Sequence, residues 1–403
     1  MSSPAARRTD VAQYRFVFRR RPAPPSGLVF AVPQESVQDR KAAPEDRGMN
    51  LTRHHRRPPR RRLLLGAGAL ALSLAVGGTA GCDGHDGAIA SAPATVSAAG
   101  PAAAYDAATR HDAEFNATFK HKFSTVRGVR MHYVTGGKGP ALVLLHGWPQ
   151  TWYEWRKIMP ALAEKHTVYA LDLPGLGDSK GSPESFDKKT LARYVHGLLR
   201  DRIGLDTFDL VAHDLGGGVG FQYVSQFPGQ VNSYVHMDYP VPGRRLPAAR
   251  YRTFSWHMAF NSQQAIPEKL VDNPSDVREY LTAFYPQVAY GGASFGGRRT
   301  RSPFTEAEIN EYVRTYSRPD VLHAGFELYR SLDKDERDNI AAARINTPTL
   351  LLTATGSLTS TRPTLTPTLR NITRAVEIPR SGHWLAEENP EAVAREILSF
   401  IWK

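Results

Sequence analysis

One cysteine in 403 residues, Cys82, leaves this chain without an intramolecular disulfide and without a cysteine-based metal cluster. A membrane-spanning helix needs about 20 apolar residues, and the apolar stretch from Leu63 to Val76 stops short of that. A strong charge of one sign is missing too, once the chain is divided. The net charge is +12, but residues 1–81 hold 15 Lys and Arg against 5 Asp and Glu, whereas residues 82–403 hold 36 against 34. The basicity belongs to the leader, so the rest carries no electrostatic footprint for nucleic acid. No phosphate-binding loop, dinucleotide fingerprint, metal-ligand constellation or internal repeat is found, so no cofactor and no metal is expected. His54 and His55 lie in the leader and read as charge decoration.

What the leader does contain is ordered by function. Arg60-Arg61-Arg62 precedes the apolar stretch, and Thr79-Ala80-Gly81-Cys82 follows it. A charged head, a short apolar segment and small residues at the end read as an export signal over residues 49–82. The arginine run resembles a twin-arginine signal, and Ala80-Gly81-Cys82 resembles the lipobox of bacterial lipoproteins, with Thr79 where leucine is usual. Three outcomes stay open: lipidation of Cys82, cleavage with secretion, or an uncleaved anchor. The expected location is extracellular or at the cell surface, with membrane contact only through this segment. Residues 1–48 are Arg- and Pro-rich without periodicity, which predicts a disordered extension or a start codon placed too early, Met49 standing just ahead of the signal. Residues 83–108, mostly Ala, Gly, Ser and Pro, predict a flexible tether.

From about Phe115 strands and helices alternate. Lys120 to Val126 and Val129 to Val134, parted by Arg127-Gly128, predict a hairpin. Continuous apolar runs at Ala141 to Leu145 and Phe208 to Ala212 predict strands covered on both faces. Thr167 to Leu171, Val231 to Met237, Thr349 to Leu352 and Ala375 to Ile378 complete the strand set, with helices predicted over Trp152 to Lys165, Leu191 to Arg200, Gly217 to Phe227 and Pro390 to Ile401. Between about Pro240 and Ile340 the rhythm breaks into helical segments without buried strands, including Pro267 to Phe284 and Phe304 to Tyr316. The pattern predicts an α/β fold, a mostly parallel sheet flanked by helices over residues 109–239 and 341–403, with a helical cap over 240–340.

The sharpest chemical signal is Val211-Ala212-His213-Asp214-Leu215-Gly216-Gly217, which closes a strand and opens a helix. A tight strand-to-helix turn leaves room only for small residues around a central nucleophile, and here the central residue is Asp214. A bare helix cap is the alternative use of that aspartate. Leu145-His146-Gly147-Trp148-Pro149 follows another buried strand, and its turn would let the backbone N–H of Trp148 join that of Leu215 as an oxyanion hole. The alternative there is a plain Gly-Pro turn with a core tryptophan. Arg380-Ser381-Gly382-His383-Trp384 lies between the last strand and the last helix.

Together with Ala170 to Ser179, these motifs resemble the epoxide hydrolase and haloalkane dehalogenase branch of the α/β-hydrolases over about residues 115–403. The resemblance implies an α/β-hydrolase fold with a lid, a small-molecule substrate, Asp214 as nucleophile and His383 as base. Many relatives carry the third triad member after the strand at Thr349, but Thr353 to Ser360 contains no carboxylate. Some dehalogenases draw it from the strand after the nucleophile helix, where Asp238 stands; Glu387 and Glu388 read as charges at a helix start. A carboxylate nucleophile suits displacement at saturated carbon, giving an alkyl ester that water then cleaves. Epoxide hydrolases of this kind polarise the ring oxygen with lid tyrosines, usually two. Tyr312 fits one of them, Tyr316 lies a turn further on, and the segment expected to carry the other offers Trp256 and His257 instead. Leu215 stands where haloalkane dehalogenases have tryptophan and fluoroacetate dehalogenases arginine, while His257 resembles a halide-pocket histidine of the latter. Epoxide hydrolysis is therefore the leading expectation. Dehalogenation and an idle binding protein on the same scaffold are the alternatives.

Overall fold

The computed structural model describes residues 113–401. The extension, the export signal with Cys82 and the tether, all expected over residues 1–108, lie outside the described residues. Among those described, no helix is long and apolar enough to cross a membrane.

The strands are β1 (Lys120–Val126), β2 (Val129–Gly136), β3 (Ala141–Leu145), β4 (Thr167–Leu171), β5 (Phe208–His213), β6 (Val231–Met237), β7 (Thr349–Thr353) and β8 (Ile372–Glu377). They form one eight-stranded sheet in the order β1-β2-β4-β3-β5-β6-β7-β8. β1 and β2 make the expected hairpin, turning through Arg127 and Gly128, both at positive φ. β2 also pairs antiparallel with β4, and every remaining neighbour is parallel. The central strands read as continuous apolar runs because helices cover both faces; Leu142 to Leu145 and Leu350 to Leu352 are wholly buried.

Register decides where the loops emerge. Leu145 lies beside Ala212, His213 beside Met237, and Met237 beside Leu352. The strands thus end abreast, and the segments beginning at His146, Asp214, Asp238 and Ala354 leave the carboxyl edge of the sheet side by side, the usual place for a site in a parallel sheet.

The helices depart from the sequence expectation in instructive ways. The Trp152 to Lys165 helix is instead a 3-10 turn, Trp152–Trp155, and a separate helix, Met159–Ala163. Asp172 holds the Trp152 N–H at 2.9 Å, and Pro160, the second residue of the second piece, has no N–H to continue a helix from the first. Lys188–His196 starts earlier than expected because Asp187 accepts from the Thr190 N–H at 2.9 Å and so caps it there. The nucleophile-bearing helix, Asp214–Gln226, begins at the aspartate itself.

Between β6 and β7 stand the helices Ala248–Tyr251, Trp256–Asn261, Ile266–Leu270, Pro274–Val288, Glu306–Tyr316, Pro319–Arg330 and Leu332–Ala341. The single helix expected over Pro267 to Phe284 is two. Asn273 accepts from the N–H groups of Ser275 and Asp276, and Pro274 sits at the first position, a start signal that overrides the apolar periodicity. Glu306–Tyr316 begins with a reciprocal capping box between Thr305 and Glu308.

Candidate active site

The turn after β5 is strained in one residue. His213 is still extended, whereas Asp214 takes φ +48, a left-handed conformation that L-residues with a side chain rarely adopt. Two glycines make the turn physically accessible. A Cβ on Gly216 would stand 2.2 Å from the His146 carbonyl oxygen, and one on Gly147 would stand 2.3 Å from Asp214 Cβ. The loops after β3 and β5 therefore press backbone against backbone, which brings the Trp148 N–H to 2.9 Å from Asp214 Oδ2. Leu215 is the second residue of the following helix, so its N–H is among those without an intrahelical acceptor. The Trp148–Pro149 peptide is cis.

His383 Nδ1 lies 2.8 Å from Asp238 Oδ2, and His383 Nε2 lies 3.7 Å from Asp214 Oδ1. Asp238, at φ +42, is itself held by the Ala354 N–H, which donates to its Oδ1 at 3.0 Å. The loop after β7 that lacks a carboxylate thus supplies a backbone donor to one arriving from β6. The main chain of His383 is fixed at both ends: its N–H donates to the Val288 carbonyl at 2.8 Å, and its carbonyl lies 2.9 Å from His213 Nε2. Glu388 accepts from the N–H groups of Gly382 and Trp384. It therefore shapes the histidine loop, and is more than the helix-start charge it resembles in sequence.

Charge and burial set the protonation states. Burial pulls His383 down, but the Asp238 hydrogen bond and the negative charge of Asp214 outweigh it and raise its pKa to about 9. Burial, followed by the charge of His383, lowers His257 to about 3 and His213 to about 4. Burial likewise raises Tyr251 and Tyr329 well above the usual tyrosine value, with Asp214 adding to it, so both keep their protons.

These groups surround a cavity of ≈ 190 Å³. Asp214, Asp238, His383 and Trp148 line it from the sheet side, and Tyr251, His257, Met258, Phe284 and Tyr329 from the insertion; Ser255, Ser294, Ser357, Ser360 and Thr361 add hydroxyl-bearing positions. None of the lining residues is Lys or Arg.

Three of the side chains expected at the leaving group lie elsewhere. Tyr312 does not line the cavity: its hydroxyl donates to Glu387 Oε1 and accepts from Gln150 Nε2, both at 3.0 Å. Tyr316 donates to the Gln150 carbonyl at 2.9 Å from behind Trp148. The two tyrosines are four residues apart on one helix and share the face that docks on the loop after Trp148. Trp256 is 45% exposed and donates to Gln287, because a step of about 100° per residue turns it away from the cavity when His257 faces in. Of the four candidates only His257 lines the cavity. Glu387, read as another helix-start charge, instead takes a bidentate bond from Arg156 and a contact from Lys157.

Tyr329 and Tyr251 are the cavity tyrosines that the sequence reading missed. One signal for Tyr329 was present. Gly325 lies four residues before it on the same helix face, and a Cβ there would stand 2.6 Å from Trp148 Nε1. A glycine one turn from a tyrosine marks the face that meets a large ring.

Outside the cavity, His132, Asp172 and Asp178 bring potential metal-ligand atoms together. These atoms are already engaged: His132 pairs with Asp172, Asp172 also accepts from backbone N–H groups, and Asp178 is held bidentately by Arg314.

Comparison with known proteins places the fold in a family. The family model described as alpha/beta hydrolase fold matches residues 140–390. The chain is 33% identical over 289 residues to the soluble epoxide hydrolase of Corynebacterium sp. (strain C12), covering 70% of this chain and 96% of that one. It is 28% identical over 303 residues to the fluoroacetate dehalogenase of a Burkholderia species, covering 70% and 94%. Among solved structures, the Cif epoxide hydrolase from Acinetobacter nosocomialis superposes with a TM-score of 0.64 at 26% identity, covering 75% of this chain and 97% of that one.

Proposed function

The chain belongs to the α/β-hydrolase fold family, in its epoxide hydrolase and dehalogenase branch, and we propose that it opens epoxides through an alkyl ester on Asp214. The observation that carries this reading is one cavity holding Asp214 and His383 on one side and two proton-bearing groups, Tyr329 and His257, on the other.

One oxygen of Asp214 is tied to the Trp148 N–H, which leaves Oδ1 to attack an epoxide carbon. As the C–O bond breaks, the ring oxygen becomes an alkoxide. Tyr329 and His257 stabilise it by hydrogen bonds, and an alkoxide is basic enough to take the tyrosine proton, which solvent then restores. Ser255 Oγ lies 2.8 Å from His257 Nδ1; with that hydroxyl donating, the ring proton sits on Nε2.

The second half begins with a change of charge. Esterified Asp214 is neutral, so one of the influences that hold His383 protonated disappears and the imidazole becomes available as a base. It takes a proton from water, and the hydroxide adds to the carboxyl carbon of Asp214. The N–H groups of Trp148 and Leu215 hold the resulting oxyanion, while Asp238 stabilises the imidazolium. Collapse expels the diol oxygen, which recovers the proton from His383. Asp214 returns carrying one oxygen from water.

Dehalogenation shares this chemistry and has His257 in its favour. A haloacid carboxylate, however, would meet no Lys or Arg in the cavity, and Leu215 follows the nucleophile. Trp148, the one tryptophan among the lining residues, packs its Nε1 against Gly325. Repeated turnover of an epoxide in heavy-oxygen water should place label in the peptide containing Asp214, with diol as product. An unlabelled peptide, or faster halide release from fluoroacetate than diol formation from any epoxide tested, overturns the proposal.

A further inference from the structure

Lys188 is the first residue of the Lys188–His196 helix in the sheet domain, and its side chain is 1% exposed. Its stem crosses the nucleophile-bearing helix, where a Cβ on Gly218 would stand 2.9 Å from Lys188 Cγ. The ammonium ends between two consecutive helices of the insertion. It donates to the Leu328 carbonyl at 2.5 Å and to Asp335 Oδ2 at 2.7 Å, while the Lys188 N–H donates to Asp335 Oδ1 at 2.8 Å.

The Leu328 carbonyl belongs to the peptide unit that leads into Tyr329, in the last turn of the Pro319–Arg330 helix. Carbonyls in a last turn lack intrahelical donors, and a cation is favoured there by the helix dipole. The Tyr329 carbonyl, in turn, is within 3.3 Å of the Ser262 hydroxyl. The peptide leading into this cavity tyrosine is therefore held by a side chain from another element, whereas the Ser262 hydroxyl makes its shorter bond to the Met258 carbonyl at 2.7 Å.

Stability alone gives a weak reason for such a lysine. Desolvating an ion pair offsets much of its attraction, and apolar residues of similar volume often hold a core equally well. What an apolar pair would not supply is a directed hold on one carbonyl.

We propose that Lys188 is a positioning residue: it sets the Tyr329 hydroxyl over Asp214, and so governs ring opening while leaving hydrolysis of the ester to His383. This inference rests on the reading of Tyr329 as donor to the epoxide oxygen. Misplacing a reacting group by about an ångström costs on the order of 10- to 100-fold in rate.

The test follows single turnovers of the full enzyme with styrene oxide, by quenched-flow and intact mass. Formation and decay of the alkyl-enzyme are timed separately. In the Lys188→Met/Asp335→Asn double variant, which leaves no orphan charge, formation should slow by about tenfold or more, with decay within about twofold of wild type. Lys188→Gln/Asp335→Asn, which keeps a polar group at both positions and also leaves no charge unpaired, should shift the same step in the same direction and is read in the same way if the first double variant does not fold. Added to Tyr329→Phe, neither change should slow formation further, since both act through the same hydroxyl. Equal slowing of both steps, unchanged formation, or full additivity with Tyr329→Phe overturns the assignment of Lys188. A wild-type enzyme that forms no alkyl adduct overturns the proposed function itself, a distinct result.

Discussion

The two walls of the cavity are built by different devices. On the sheet side, Trp148, Asp214 and Asp238 stand just beyond the ends of β3, β5 and β6, and main-chain geometry places them: positive φ at Asp214 and Asp238, and glycines at 147 and 216 where no Cβ fits. On the insertion side, the placement is done by side chains. Tyr329 and His257 pack on the Trp148 ring, edge-on and stacked respectively. Arg156 and Lys157 clasp Glu308 and Glu387, and Lys188 clasps Asp335. A wall fixed by backbone resists single substitutions outside it. A wall fixed by side-chain contacts can be retuned from a distance, so substrate choice and ring opening are expected to be the adjustable half of the reaction, and ester hydrolysis the constant half.

The largest test of that division removes the nucleophile. Asp214→Ala should lower diol formation by about four orders of magnitude or more, with no adduct in the intact-mass spectrum, since groups acting as a unit fail together. Substantial residual turnover would mean the sheet-side wall does not supply the nucleophile. Next, His383→Gln should separate the two halves: alkylation persists, hydrolysis falls by about 100-fold or more, and the alkyl-enzyme accumulates to near stoichiometry. If adduct formation fell as far as its decay, the division would be lost.

A smaller effect sharpens the insertion side. Tyr329→Phe should slow alkylation by about 10- to 100-fold, whereas Tyr312→Phe should leave alkylation nearly intact. The latter should cost about 1–2 kcal/mol of stability by taking a hydroxyl from Glu387 and Gln150, read as a lower Tm. The reverse ranking would put the ring-opening tyrosine back on the Glu306–Tyr316 helix.

The smallest expected effect is in the pH dependence of stability. The folded pKa of His383 is raised from 6.5 to about 9, so its contribution is fully present below about 6.5 and is lost as pH rises through about 9. Asp238→Asn removes the hydrogen-bonded charge behind much of that rise, so its Tm should fall less steeply between these pH values. A variant slope as steep as wild type would show that Asp238 does not hold the proton on His383.

Much of the sheet and of the sheet-side wall was legible in the sequence. β3, β4 and β6 begin and end where their apolar runs do, and a residue one step past such a run has only one direction in which to leave a parallel sheet. That is why Asp214, Asp238 and the Trp148 turn could be named together. The leaving-group side was legible only in part. Tyr312, Tyr316 and Tyr329 all lie on buried faces of amphipathic helices, and burial does not say whether a face meets the cavity, the Trp148 loop or another helix. Likewise, nothing local marks Lys188 and Asp335, 147 positions apart, as partners.

The order of residues along the chain determined the strands, the sharp turn at Asp214, the absence of an acid after β7 and the concentration of charge in the leader. Each depends on neighbours close in sequence. Only the tertiary structure decided which tyrosines share the cavity with Asp214. That choice depends on how each helix is rotated about its own axis, where one residue is a turn of about 100°. The rotation is set by contacts with Trp148, Glu387 and Lys188, residues that lie far away along the chain.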